Sequence, residues 1–215
     1  ISLYSAGEES IASMPNIKVG KFITQVILQN IEVEDIDLSN ATDLRSAWVQ
    51  NNPALQKLDL SYSTIWGQGD KETEGNGTYG SSLMVLGCPI LIEIKLPEKN
   101  ELKAYRIDIE CLDALETFDM SNVKMVAELS IGDLNKDFNL VYPELTIFYS
   151  EDGYAGTYFA CSENTFYRES TQAFLKANYT DIDPDDTVRR LGYTSSLSYD
   201  KNKGCRWRTL LNKQK

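Results

Sequence analysis

Residues Asn40–Ile65 read NATDLRSAWVQNNPALQKLDLSYSTI, and their apolar positions keep neither a helical step nor a plain alternation. Leu44, Ala47 and Val49 stand at steps of three and two, and Leu55, Leu58 and Leu60 repeat those steps eleven residues later. In a short strand, residues two apart share a face. Ala47 and Val49 therefore point one way, as do Leu58 and Leu60, while Leu44 and Leu55 turn inward from the preceding bends. One such unit cannot bury its apolar edge alone, but units stacked in a column can, each touching only its neighbours.

Writing the unit as LxxLxL places further copies at Ile23, Val33, Leu83, Leu91, Leu102, Leu115 and Val126, with weaker ones at Leu145 and Ala155. Two kinds alternate. Those at Val33, Leu55 and Leu115 read DIDLS, KLDLS and TFDMS, whereas those at Ile23, Leu44, Leu83, Leu102 and Val126 lack the Asp-x-Ser signature. The alternation predicts a coil of about 22 residues, made of two short extended segments on opposite walls. The fold class is thus a mainly β repeat solenoid, and two forms of it stay open. One is a leucine-rich-repeat-like right-handed coil of short parallel strands, which the LxxLxL rhythm favours. The other is a right-handed parallel β-helix.

The stretch LRSAWVQNNPAL resembles the leucine-rich repeat family, with Leu44, Ala47, Val49 and Asn52 at the conserved places of LxxLxLxxN. More closely, LDLSNATDL…NNPALQKLDLS is similar to the short repeats of exported and surface proteins of Bacteroidetes bacteria. The resemblance covers roughly Phe22 to Cys161. The asparagine place holds only at Asn52, with Ile31, Glu110 and Leu134 in other coils. A non-enzymatic, exported binding module at the cell surface or in an extracytoplasmic space is what the resemblance implies, with a protein or glycan as ligand.

Three regions follow. Residues 1–21 lack the repeat and are expected to cap the column. Residues 22–165 form the solenoid, with a loop insertion at 66–82, whose WGQGDKETEGNGTYGSS carries five glycines and reads as a mobile loop. A second irregular stretch runs from Gly132 to Pro143. Residues 166–215 form a small α/β C-terminal cap: RESTQAFLKANY suits a helix with Phe174 and Leu175 inward. DIDPDDTVRRLG suits a short helix with Asp183 as its cap, and YTSSLSYDKNKGCRWRTLL suits a hairpin.

Composition excludes several chemistries. The 215 residues carry a net charge of -11 and no histidine, which removes His-based nucleophile systems and imidazole metal ligation. Between Arg189 and Lys215 there are eight basic residues and one acidic, a local +7. That leaves 13 basic and 31 acidic, or -18, over residues 1–188. The acidic column argues against nucleic acid as a partner, and the basic end is expected to neutralise it or to dock on an acidic partner. No apolar run approaches the roughly 20 residues of a membrane span. The chain starts at Ile1 rather than Met, as expected of a trimmed form, and any signal or lipid anchor would lie outside it. Cys88, Cys111, Cys161 and Cys205 form no CxxC pair. They are read as buried free thiols, with two disulfides in any of three connectivities as the other reading.

Candidate sites are few. TDIDPDD (Thr180–Asp186) lacks the glycine and glutamate of a calcium loop and reads as a helix cap, so no metal and no cofactor are expected. The wall carrying Asp37, Asp59 and Asp119 reads as a solvated mixed-charge face with Lys57 and Lys95. On the other wall the outward positions include Gln25, Ile27 and Gln29; Ser46, Trp48 and Gln50; Ala104, Arg106 and Asp108; and Thr157 and Phe159. Gln25, Ser46, Trp48, Gln50, Arg106, Asp108 and Phe159 are the candidate ligand wall, because Trp and Arg are enriched at binding hot spots. The competing explanation for Trp48 is packing beneath the 66–82 loop. Two further functions remain open: a carbohydrate-active β-helix enzyme using paired carboxylates, and a structural segment of a larger surface protein.

Overall fold

The computed structural model describes residues 1–4, 12–68, 81–99, 101–135, 137–145, 150–151, 154–155, 158–178 and 210–212. In chain order the first strands are β1 (Ser2–Tyr4), β2 (Ala12–Lys18), β3 (Gln25–Gln29), β4 (Ile31–Asp37), β5 (Ser46–Gln50), β6 (Lys57–Asp59), β7 (Ser82–Leu86) and β8 (Glu93–Lys95). Next come β9 (Leu102–Leu112), β10 (Thr117–Asp119), β11 (Val123–Leu134), β12 (Asn139–Val141), β13 (Ser150–Glu151), β14 (Tyr154–Ala155) and β15 (Tyr158–Cys161). Helices α1 (Glu163–Phe166) and α2 (Glu169–Asn178) follow, then β16 (Leu210–Asn212).

Odd-numbered strands β1 to β11, then β15, make wall A, a parallel sheet in the order β1-β3-β5-β7-β9-β11-β15, with β16 antiparallel on the far side of β15. Even-numbered strands β2 to β12 make wall B, as the parallel pairs β2-β4, β6-β8 and β10-β12, and β13 and β14 form a separate antiparallel pair. The chain is therefore a β-solenoid of about five stacked coils with a small helical segment near its C-terminal end. Each coil contributes one strand to each wall, as the alternation of units predicts.

The core fills the space between the walls. From wall A, Val26, Ala47, Leu83, Ile107, Leu129 and Phe159 stack in register, and so do Leu28, Val49, Val85, Ile109, Ile131 and Cys161; all are buried. Ile36, Leu58, Ile94, Phe118 and Leu140 face them from wall B, also buried. Parallel strands between two packed faces bury every inward side chain, which is why the inward positions here are almost all aliphatic or Phe.

Both corners are written in the sequence. Leaving wall A, Asn30, Asn51, Gly87 and Cys111 adopt left-handed φ values of 53°, 52°, 64° and 54°. Each follows an in-register residue, and the N–H of Asn30, Asn51 and Gly87 donates to the carbonyl of Gln50, Leu86 and Glu110 in the next coil. Asn and Gly are the residues that enter this region most readily. Leaving wall B, the N–H groups of Ser39, Ser61 and Ser121 donate to the carboxylates of Asp37, Asp59 and Asp119 at 2.9, 2.9 and 2.8 Å. The Asp-x-Ser signature is thus a turn in which the carboxylate replaces a backbone acceptor. The same wall carries the Lys18–Asp37, Lys57–Glu93 and Lys95–Asp59 ion pairs.

Asn52 is fully buried, and its Oδ1 accepts from the N–H groups of Val33, Ala54 and Leu55 at 3.2, 3.1 and 3.1 Å. It stitches two coils together at a bend where backbone donors have no strand partner. In the register of wall A, Ile31, Cys88, Leu112 and Leu134 take its place elsewhere. Glu110, expected there, instead aligns with Gln50 and faces outward.

Other expectations are also corrected. The frames at Leu83, Leu102 and Ala155 are displaced: Leu83 and Ile107 stack on Ala47, and Phe159 stacks on Leu129. At Ala155 the shift is one residue, which exchanges the faces of a strand; at Leu102 it is two, so Arg106 and Asp108 stay outward while Ala104 takes the inward place at the bend. Ala104 and Phe159, expected outward, are buried inward. Trp66, expected in a mobile loop, is fully buried in the core. Its backbone N–H donates to Ser63 Oγ at 2.8 Å, and the backbone N–H of Gly67 donates to Ser81 Oγ at 2.6 Å. Gly67 sits at φ 75°, where a Cβ would lie 2.7 Å from Leu102 Cδ2. Residues 69–80 of that insertion lie outside the described residues. The stretch expected to be irregular, 132–143, holds the end of β11 and all of β12, and residues 1–21 supply a strand to each wall. Helix α2 buries Thr171, Phe174 and Leu175. The expected short helix and hairpin after it lie outside the described residues, apart from β16.

Replacing Asn52 with Ala strands three backbone donors, two of them buried, and is expected to cost roughly 2–4 kcal/mol, whereas Asn40→Ala on an exposed turn stays within about 0.5 kcal/mol; urea unfolding compares the two. Asp37 offers a second test. Its carboxyl is held at about 2, below the ordinary 3.8, by the hydroxyl and N–H of Ser39 and by Lys18. The stability it contributes is present above 3.8 and lost as pH falls toward 2. NMR titration should find that midpoint, and Ser39→Ala should move it upward.

Candidate functional site

The outer face of wall A is a set of straight ladders because its strands are parallel and in register. One ladder runs Gln25, Ser46, Ser82, Arg106, Glu128; the next runs Ile27, Trp48, Met84, Asp108, Ser130; a third runs Gln29, Gln50, Leu86, Glu110, Gly132. Of the residues proposed from sequence, Gln25, Ser46, Trp48, Gln50, Arg106 and Asp108 lie on this face. Phe159 does not: it packs inward against Tyr142 and Phe174, with ring centroids 6.1 and 5.4 Å away.

The face changes character along the column. Over β3, β5 and β7 it is more accessible: Gln25 is exposed, Ile27, Gln29, Ser46, Trp48, Gln50 and Met84 are half-buried, and Leu86 is buried. Gln29 Nε2 donates to Gln50 Oε1 at 3.4 Å, and Asn51 Nδ2 donates to Asn30 Oδ1 at 2.7 Å, so amides run side by side across the coils. Trp48 stands between Ile27 and Met84 with its indole Nε1 buried, and residues 69–80 of the loop expected to cover it lie outside the described residues. The expectation that Trp48 lies on the outer wall is met by its register.

Over β9 and β11 the same face is closed. Asp108, expected to be exposed, is 0% exposed, Glu110 2% and Ser130 7%. Arg106 donates to Asp108 Oδ2 at 2.8 Å and lies 3.6 Å from Glu128, whose carboxylate also accepts from the Tyr105 hydroxyl at 3.2 Å. Ser130 Oγ donates to Glu110 Oε1 at 2.9 Å. Gly132 leaves room for Glu110, since a Cβ there would meet its Cγ at 3.2 Å. Two buried carboxylates on one strand face are tolerated because each is hydrogen-bonded. Sequence reading missed Met84, Glu110 and Ser130. The alternation Ser82-x-Met84 shows the outward pair once β7 is framed on Ser46-x-Trp48.

Among the described residues, no group of three or more Cys, Asp or Glu side chains is placed to hold a metal ion. No helix among them is long and apolar enough to cross a membrane. Cys88 and Cys161 are free and buried, whereas Cys111 is disulfide-bonded. The sequence matches no protein-family model. It also matches no curated protein and no solved structure.

Burial pushes the Cys88 thiol up to about 12, opposed in part by the backbone N–H of Asn52, and burial likewise raises Cys161. The native state therefore holds Cys88 neutral. The stability this confers is complete below the ordinary 9.0 and is lost as pH rises toward 12. Both thiols should resist a thiol-reactive disulfide reagent at pH 8 in the folded chain and react within minutes in 6 M guanidinium, roughly a hundredfold faster or more.

Proposed function

We propose that this chain is a non-enzymatic binding module that recognises a protein or glycan through the open part of wall A. Trp48 carries the reading. It is a half-buried aromatic in the middle of a flat face, flanked by the amides of Gln25, Gln29 and Gln50 and by Ile27 and Met84. An aromatic plane rimmed by amide donors and acceptors suits a sugar ring or a peptide backbone, and Trp is the residue most enriched at hot spots. Arg106 and Asp108 border this area, but their mutual ion pair and the burial of Asp108 leave Arg106 at its rim.

The same framework supports placing the chain with exported repeat proteins of the leucine-rich kind. Units at Ile23, Val33, Leu44, Leu55, Leu91, Leu115 and Val126 keep the LxxLxL frame in three dimensions. The disulfide at Cys111 supports an oxidising compartment, hence export. A second reading, carbohydrate cleavage, draws on Asp108 and Glu110, two carboxylates on one face of β9. Their burial and hydrogen bonding favour a structural role. Release of reducing ends from a polysaccharide panel, lost in Asp108→Asn or Glu110→Gln, is the result that would favour cleavage.

Glycan and protein arrays probed with the full chain and with Trp48→Ala test the binding reading. A hot-spot loss of about 2 kcal/mol weakens binding roughly 30-fold; because removing a largely buried indole also costs stability, both chains are compared under conditions where circular dichroism shows them folded. Array signals that survive the substitution unchanged would overturn the site.

A further inference from the structure

The early part of wall A differs from the rest of the molecule in charge. Its outward residues on β3, β5 and β7 are Gln, Ile, Ser, Trp, Met and Leu, with no acid or base among them, in a chain of net charge -11. We propose that the ligand is an uncharged, linear glycan laid along the column axis over Trp48, with one sugar ring to each coil. This deepens the binding reading above and rests on it.

Size argues against a protein. Three strands about 4.8 Å apart, each of five residues at about 3.3 Å, present roughly 240 Å². A stable protein interface takes about 800 Å² from each partner. The next coils add nothing to the area, because Asp108, Glu110 and Ser130 are buried. A few sugar rings need no more than the early coils supply.

Trp48 sets the kind of contact. Its indole Nε1 is buried without a hydrogen-bond partner, while the side chain as a whole is half-buried. What a ligand reaches is therefore ring carbon and not the N–H. A peptide carbonyl laid there would lose water and find no donor. The C–H face of a pyranose needs none and gains from apolar contact. Ile27 and Met84 extend that carbon stripe by one coil on either side.

A pyranose also carries hydroxyls around its edge, and both flanks of the stripe are polar. Gln25, Ser46 and Ser82 form one flank, and Gln29 and Gln50 the other. Gln29 Nε2 donates to Gln50 Oε1 at 3.4 Å, which leaves Gln29 Oε1 to accept and Gln50 Nε2 to donate.

Spacing sets the direction. The rungs repeat every ~4.8 Å along the axis, and an extended peptide advancing ~3.3 Å per residue falls out of step with them. A sugar chain linked through opposite ring positions advances by close to one rung per ring. Each ring then meets an apolar centre and at least one polar flank. Acidic sugars gain nothing here: β3, β5 and β7 present no outward cation, and Arg106 beside them is paired with Asp108 and Glu128.

Isothermal titration of the full chain with neutral linear gluco-, manno-, xylo- and N-acetylglucosamine oligosaccharides tests this, with oligogalacturonates as the charged comparison. In the series that binds, affinity should rise with length to about three or four rings and then level, since β3, β5 and β7 supply the rungs. It should change less than about twofold between roughly 50 and 200 mM salt. Gln50→Ala should weaken it about fivefold, and this half-buried surface change keeps the test in force if Trp48→Ala does not fold. Ligands found only among proteins would overturn the glycan assignment and leave the binding reading standing, whereas no ligand of either kind would sink both. Preference for the oligogalacturonates, equal affinity at every length, or an affinity unchanged in folded Gln50→Ala would also overturn the proposal.

Discussion

The backbone hydrogen bonds between coils are what the rest of this structure depends on. From β3 to β11, every strand of wall A bonds to the coil before and the coil after, and none bonds within its own coil. A coil alone would leave its strand donors and acceptors facing water and its inward side chains half exposed. Stacking satisfies both together, and only in one register. The inward ladders, the left-handed corner ladder and the amide ladder on the outer face all follow from that alignment.

The strictness of register also decides what the amino-acid sequence discloses. Where a unit sits between clear bends, as at Leu44 and Leu55, the three-and-two step names the inward residues correctly. Where hydrophobic residues run on, as in SLMVLGC, the same template fits in more than one place, and nothing local distinguishes Val85 from Leu86 as the inward one. The frame at Ala155 fails in the same way, which is why Phe159 reads as outward although it belongs to the core. The corners are legible at Asn30, Asn51 and Gly87, whose residue types announce a left-handed backbone. Cys111 is not legible as a corner, because its place is secured by a bond rather than by conformational preference. Trp66 was hidden by its glycine-rich surroundings. Its burial depends on Ser63 and Ser81, which receive its backbone N–H and that of Gly67.

Function is legible only as far as geometry goes. The rhythm of the leucines specifies a core and is indifferent to what lies outside it. The outer face then differs from coil to coil while its backbone stays constant: amides and Trp48 in the early coils, an ion-paired and buried acidic group in the later ones. A solenoid permits this, since outward residues owe nothing to the packing that holds the strands.

Register on wall A is the claim from which the amide-bearing early face, the buried acidic group of the later coils and the placement of Trp48 all descend. It can be read directly from nuclear Overhauser contacts in the isotope-labelled full chain. The account predicts cross-peaks from the Trp48 indole to the Ile27 and Met84 side chains, the in-register neighbours on either side. Cross-peaks from that indole to Leu83 or Val85 instead would mean a slip of one residue, with Trp48 turned into the core and the outward ladder lost.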